Sequence, residues 1–129
     1  MTPSSTAELS GRRVLVVEDE ALVAMLLEDM LSDLGCEVLG PVMRVAEALD
    51  HIAANARIDV AVLDVNLAGE RSVRIAEALR ARAVPFVICT GYDGGIDEAW
   101  RDRPLLRKPF LSRDIEAALR EALGRQAAL

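Results

Sequence analysis

"VLVVEDEAL" (Val14–Leu22) runs four consecutive aliphatic residues straight into three consecutive acids, Glu18, Asp19 and Glu20. An apolar run that does not alternate with polar residues is the pattern of a strand covered on both faces, as in a parallel sheet flanked by helices. Clustered carboxylates at the end of such a strand repel one another and are pushed toward their protonated form. A cation held at that point removes the penalty.

The same strand pattern returns in "DVAVLDV" (Asp59–Val65) and "PFVICT" (Pro85–Thr90), with shorter runs in "EVLG" (Glu37–Gly40) and "PLLRK" (Pro104–Lys108). Helical stripes lie between them. Val23, Leu27, Met30, Leu31 and Leu34 form one, stopped by Gly35 at a C′ position. Val45, Ala48, Leu49 and Ile52 form a second, and Val73, Ala76 and Leu79 a third. The segment "DGGIDEAW" (Asp93–Trp100) is a fourth helix weakened by its glycines. Ser112 reads as the N-cap of the last, with Asp114 and Glu116 in its first turn and Ile115, Leu119 and Leu123 facing inward. The pattern predicts βαβαβαβαβα, hence one parallel sheet with helices on both faces. Residues 1–11 read as a flexible arm, 12–124 as the folded domain and 125–129 as a short tail with no output domain after it.

Composition narrows the function. The chain has 129 residues, 15 basic against 21 acidic, for a net charge of −6, which speaks against direct nucleic-acid binding. No run approaches the roughly 20 apolar residues of a membrane span, and the N-terminus lacks a signal-peptide pattern. Cys36 and Cys89 lack metal-ligand spacing and read as buried thiols of a cytoplasmic protein.

Ligands of open parallel sheets bind beyond the carboxyl ends of the strands. Those ends carry Glu18 and Asp19, then Asp64, then Thr90 and Gly91, then Lys108 and Pro109. Hard oxygen ligands suit Mg²⁺, a role Mn²⁺ could also fill. An ammonium and a hydroxyl opposite them suit phosphate. The combination predicts phosphoryl transfer onto a carboxylate.

The ordered set "EDE", "LDVNLAGE", "CTGY" and "RKPF" at successive strand ends resembles the receiver domain of two-component response regulators, over about Arg12 to Leu123. That resemblance implies a flavodoxin-like (βα)5 three-layer fold with strand order 2-1-3-4-5. It implies that Asp64 accepts a phosphoryl group from a sensor histidine kinase or phosphotransfer protein. It further implies that Glu18, Asp19, Asp64 and the backbone carbonyl of Asn66 hold Mg²⁺, and that Thr90 and Lys108 bind the phosphoryl oxygens. Gly91 and Pro109 support them, the Lys108–Pro109 bond being cis. Leu105 stands where many receivers carry an aromatic switch residue, and "CTGY" resembles a subgroup without one. Asn66 and Tyr92 would set the dephosphorylation rate, toward slow loss. Output would pass to a downstream protein or a second copy through the fourth helix, fifth strand and fifth helix, with Gly94 and Gly95 loosening the fourth helix. The competing reading is an interaction module that works without phosphorylation.

Other residues read more plainly. Glu20 faces solvent in the first helical turn, His51 is a solvated helix position, Trp100 packs near the fourth helix, and "RSVRIAEALRARA" is the wet face of the third helix. A haloacid-dehalogenase-type phosphatase needs an acid two residues after the nucleophile, where this chain has Asn66, so no turnover enzyme is expected. A nucleotide or flavin binder needs glycines and hydroxyls after the first strand, where this chain has acids.

Overall fold

The computed structural model describes residues 8–55, 57–67, 70–91 and 102–128. The predicted fourth helix, with Tyr92, Gly94, Gly95 and Trp100, lies outside them, as do residues 1–7 of the expected arm. Five strands make one parallel sheet: β1 (Arg13–Val17), β2 (Glu37–Val42), β3 (Val60–Asp64), β6 (Phe86–Thr90) and β7 (Leu105–Arg107), in the order β2-β1-β3-β6-β7. This is the 2-1-3-4-5 order implied by the resemblance. A two-residue antiparallel pair, β4 (Asn66–Leu67) with β5 (Glu70–Arg71), follows β3 and had no counterpart in the sequence reading.

The absence of alternation in β1, β3 and β6 is explained by helices on both faces. Val14, Val16, Val60, Val62, Val87 and Cys89 point to one side, where they meet Leu27 and Leu31 of α1 (Ala21–Asp33) and Ile115 and Leu119 of α4 (Ser112–Ala128). Leu15, Val17, Ala61, Leu63, Phe86 and Ile88 point to the other, against Ala48 and Ile52 of α2 (Val45–Ala54) and Ile75 and Leu79 of α3 (Val73–Ala81). Two cores thus sandwich the sheet, and the period-two geometry of a strand divides its side chains between them.

Several boundaries differ from expectation. Leu9 is buried in the first core and its carbonyl accepts from Cys36 Sγ, while Gly11 N–H bonds Gly35 O at 2.8 Å, so residues 8–11 are part of the packed unit and not of an arm. At the other end α4 continues to Ala128 through most of the expected tail. Ser112 lies inside α4. The cap is formed instead by Asp114, whose carboxylate accepts the Leu111 N–H at 2.8 Å, while Leu111 O accepts from Asp114 and Ile115. An acid three residues into the helix closes that turn as a hydroxyl would. His51 is half-buried, with Nδ1 enclosed and the rest of the ring only partly in solvent. Arg82, exposed just past the end of α3, donates Nη1 to the Ile52 carbonyl in α2.

β2 extends past Gly40 through Pro41 and Val42 because it bulges. Leu15 pairs with Leu39 but Val17 with Val42, so β2 carries one extra residue there. Gly40 has φ +92°, and the Gly40–Pro41 bond is cis. An edge strand tolerates proline.

At the amino end of the sheet, Asp59 ties neighbouring segments together. Its Oδ2 accepts the Arg13 N–H at 2.8 Å and Arg57 Nη2 at 2.9 Å. Burial alone pushes the Asp59 carboxyl up. The hydrogen bonds from Arg57 and Arg13 and the charges of Arg57 and Arg12 more than reverse this, holding it below its ordinary range. Because the folded pKa is depressed, the unfolded chain binds more protons near pH 4, and stability rises with pH through that region. The contribution is therefore present above about pH 4 and lost as pH falls through the folded value. Asp59→Asn is expected to cost about 1 kcal/mol at pH 7, allowing for the exposed Arg57 partner. In urea titrations the gap to wild type should close below about pH 4; a constant gap would mean that Asp59 acts by shape alone.

Candidate functional site

Four of the strand-end residues named from sequence converge through the sheet register. β3 pairs Asp64 with Cys89, which sets Asp64 next to the end of β6, and Lys108 N–H donates to Thr90 O at 2.9 Å, which sets the lysine beside that same end. Glu18 follows β1, and its N–H bonds Val42 O at 2.9 Å, so the bulged end of β2 fixes where this acid leaves the sheet. Glu18, Asp64 and Thr90 are buried, Glu18 to 1% exposure. Lys108 and Pro109 are joined by a cis bond.

The ammonium of Lys108 is the hub. Nζ lies 3.0 Å from Glu18 Oε1 and 3.4 Å from Asp64 Oδ2, and 2.6 Å from Glu20 Oε1. Burial favours the neutral amine, but hydrogen bonds to Glu20 and Glu18 and the charges of Asp64 and Glu18 outweigh it and hold the pKa above the usual lysine range. The neighbouring thiol of Cys89 is pushed up to about 12, chiefly by burial and against the pull of Lys108, so it is inert as a nucleophile. Cys36 is raised by burial as well, as expected of a core thiol.

One carboxylate oxygen from each of Glu18, Glu20 and Asp64 lies within 4.8 Å of the others, a set able to hold a metal ion. Oxygen donors of this charge fit a hard divalent cation. Glu18 Oε1 fits it too: it contacts Nζ as an ion pair, yet the directed hydrogen bond goes to Oε2 at 3.2 Å, leaving buried Oε1 with unused acceptor capacity. Asp19, half-buried and engaged in its own contacts, is not one of these three. Asn66 opens β4 opposite Arg71. Gly91 is exposed, and a side chain there would first meet Lys108 Cδ at 4.0 Å.

Two contributors were not legible as such. Glu20, read as a solvent-facing acid, remains 61% exposed but turns its carboxylate onto Lys108. Ser72, buried, donates both N–H (3.1 Å) and Oγ (3.0 Å) to Val65 O and so pins the residue after Asp64. Its only sequence signal was a serine just before the third stripe. Leu105, at the would-be aromatic position, is exposed on the edge strand β7.

The fold and rim define a doubly wound α/β protein with a cation-competent acidic site at the carboxyl ends of its parallel strands. Residues 14–120 match the response regulator receiver domain, and the chain belongs to that family. It is similar to the phyllosphere-induced regulator PhyR of Methylorubrum extorquens, with 30% identity over 114 residues covering 85% of this chain and 43% of PhyR. It is also similar to the transcriptional regulatory protein PdtaR of Mycobacterium tuberculosis, 31% identical over 95% of this chain and 62% of PdtaR. The chain thus spans only part of the length of these curated relatives. Among solved structures, SdrG from Sphingomonas melonis Fr1 is 45% identical with a TM-score of 0.79, covering 91% of this chain and 98% of SdrG. No helix among the described residues is long and apolar enough to cross a membrane.

Proposed function

We propose that this receiver is a phosphorylation switch: Asp64 takes a phosphoryl group from a histidine kinase or phosphotransfer protein in a Mg²⁺-dependent step, and the change is read by a protein partner. The observation that carries the reading is the convergence of the buried acids Asp64 and Glu18 with Glu20 and Lys108 at one rim of the sheet. A carboxylate oxygen of Asp64 attacks phosphorus while the bond to the donor's imidazole nitrogen breaks, the leaving nitrogen keeping the electron pair. Glu18, Asp19 and Asp64 would hold Mg²⁺, with the Asn66 carbonyl as a further ligand; when bound, the ion neutralises charge on the phosphoryl oxygens. Lys108 pairs with one phosphoryl oxygen and Thr90 donates to another. The chain assists this step on itself and turns over no external substrate.

The likeness to SdrG supports the reading, since a BeF3-activated conformation of that protein has been solved, with 45% identity and a TM-score of 0.76 to this chain. Exposed Leu22, Met25 and Leu26 on α1, beside the acids, offer a donor protein an apolar seat. On the other side, a cleft of about 440 Å³ between β7 and α4, lined by Leu105, Arg107, Pro109, Asp114 and Glu121, suits a downstream protein or a second copy. Such a role belongs in the cytoplasm. Dephosphorylation is slow in this reading, with Asn66 and Tyr92 controlling water.

Intact-protein mass after incubation with Mg²⁺ and acetyl phosphate tests the proposal. Wild type is expected to gain one phosphoryl group, with none in EDTA and none in Asp64→Asn. A phosphorylated Asp64→Asn would place the acceptor elsewhere. No gain from any donor, kinase included, would favour a module that works by contact alone.

A further inference from the structure

Glu20 occupies the N-cap position of α1, with extended backbone (φ −85°, ψ 112°), yet its side chain caps nothing. Its carboxylate crosses instead to Lys108, where the 2.6 Å contact is the shortest that the ammonium makes. The Glu20 backbone is held for this by its own N–H, which donates to Glu18 Oε2 at 3.0 Å. The two other acids on Lys108 are buried, whereas the Glu20 side chain is 61% exposed. Of the three, Glu20 alone can release the ammonium and return to water at little cost.

We propose that Glu20 is the resting-state holder of Lys108, competing with the phosphoryl group for the same ammonium and so setting how readily the acceptor site loads. This rests on the reading of Asp64 as acceptor. In the resting protein Lys108 is shared among Glu18, Asp64 and Glu20. A phosphoryl group on Asp64 brings new anionic oxygens within reach of Nζ. The contact given up in exchange is the exposed one. Glu20 therefore acts through Lys108, as a positioning residue that weakens phosphoryl binding, and not as a cap or as a solvent-facing charge.

The test uses the full chain and three variants: Glu20→Gln, Glu20→Asp, which keeps the charge but shortens the reach by one methylene, and Glu28→Gln, which removes an exposed charge farther along α1. Beryllofluoride affinity in Mg²⁺ is measured together with the rate at which an amine-acylating reagent modifies Lys108. Lys108 is the only lysine of the chain, so peptide mapping separates it cleanly from the N-terminal amine. Glu20→Gln and Glu20→Asp should both bind beryllofluoride and acylate Lys108 about two- to fivefold more readily, the range carried by an ion pair with one exposed partner. The unfolding midpoint should be unchanged, and Glu28→Gln should match wild type in both readouts. The proposal is overturned if Glu20→Asp behaves as wild type, which would mean a general charge effect. It is also overturned if Glu20→Gln weakens Mg²⁺ binding, which would make Glu20 a cation ligand. If the acceptor reading itself is wrong, no protein binds beryllofluoride, and the acylation rates still decide whether Glu20 holds the lysine.

Discussion

Lys108→Met should lower the stability of the Mg²⁺-free protein by about 2 kcal/mol, because it leaves the buried Glu18 carboxylate without its cation. Methionine keeps most of the aliphatic stem, so the loss reports charge more than packing. The three acids would then face one another within 4.8 Å with nothing positive between them. A divalent cation can take over that duty. Millimolar Mg²⁺ should therefore raise the urea midpoint of Lys108→Met by more than it raises that of wild type, where the ammonium already shields the site. Equal midpoints for the two proteins without Mg²⁺ would show that Lys108 does not neutralise the cluster. Phosphoryl gain should fall as well, since the same ammonium is needed for the phosphoryl oxygen.

Gly40→Ala should cost about 3 kcal/mol, the largest effect expected away from the site. With φ +92°, a Cβ at residue 40 would lie 2.8 Å from Val42 N and 3.0 Å from Val16 O, both backbone atoms that cannot step aside. Gly11 provides the control. It also has positive φ, +83°, but a Cβ there meets nothing within 4 Å. Gly11→Ala should therefore lose only the conformational part, about 1 kcal/mol. Equal losses in urea unfolding would mean that the bulge relaxes around the methyl group. The Gly40 change also bears on the rim, because the bulge is what brings Val42 O to the Glu18 N–H.

These cases mark where sequence reading stops. Val14–Val17, Val60–Leu63 and Phe86–Cys89 were legible because burial on both faces writes itself into a continuous apolar run. Asp64, Thr90 and Lys108 were legible because polar residues ending such runs need a reason to be there. Gly40–Pro41 read as the end of a strand, since both residues punctuate local structure; the bulge that carries β2 onward depends on β1, which local pattern does not contain. Glu20 is exposed as its sequence suggested, but its contact with Lys108 escaped for a similar reason. Its partner lies 88 residues away, and first-turn acids are ordinarily explained by the helix dipole. Ser112 failed differently, because Asp114 supplies the capping bond without a hydroxyl.

The strand order also divides the charges of the rim along the chain. β1, β2 and β3 pair among themselves, and all lie before residue 65, so a chain emerging amino end first can bring Glu18, Glu20 and Asp64 together early. β7 is the outermost strand, pairs only with β6, and carries Lys108 just past its end. The counter-charge of the acids is thus carried by the last strand in the chain. Hydrogen exchange should find β7 opening more readily than β1 and β3, since an edge strand has a single pairing to lose. An opening that carried Lys108 away would leave the acids without their ammonium for a moment, so the integrity of the carboxyl-terminal edge governs the electrical state of carboxylates supplied by the first 64 residues.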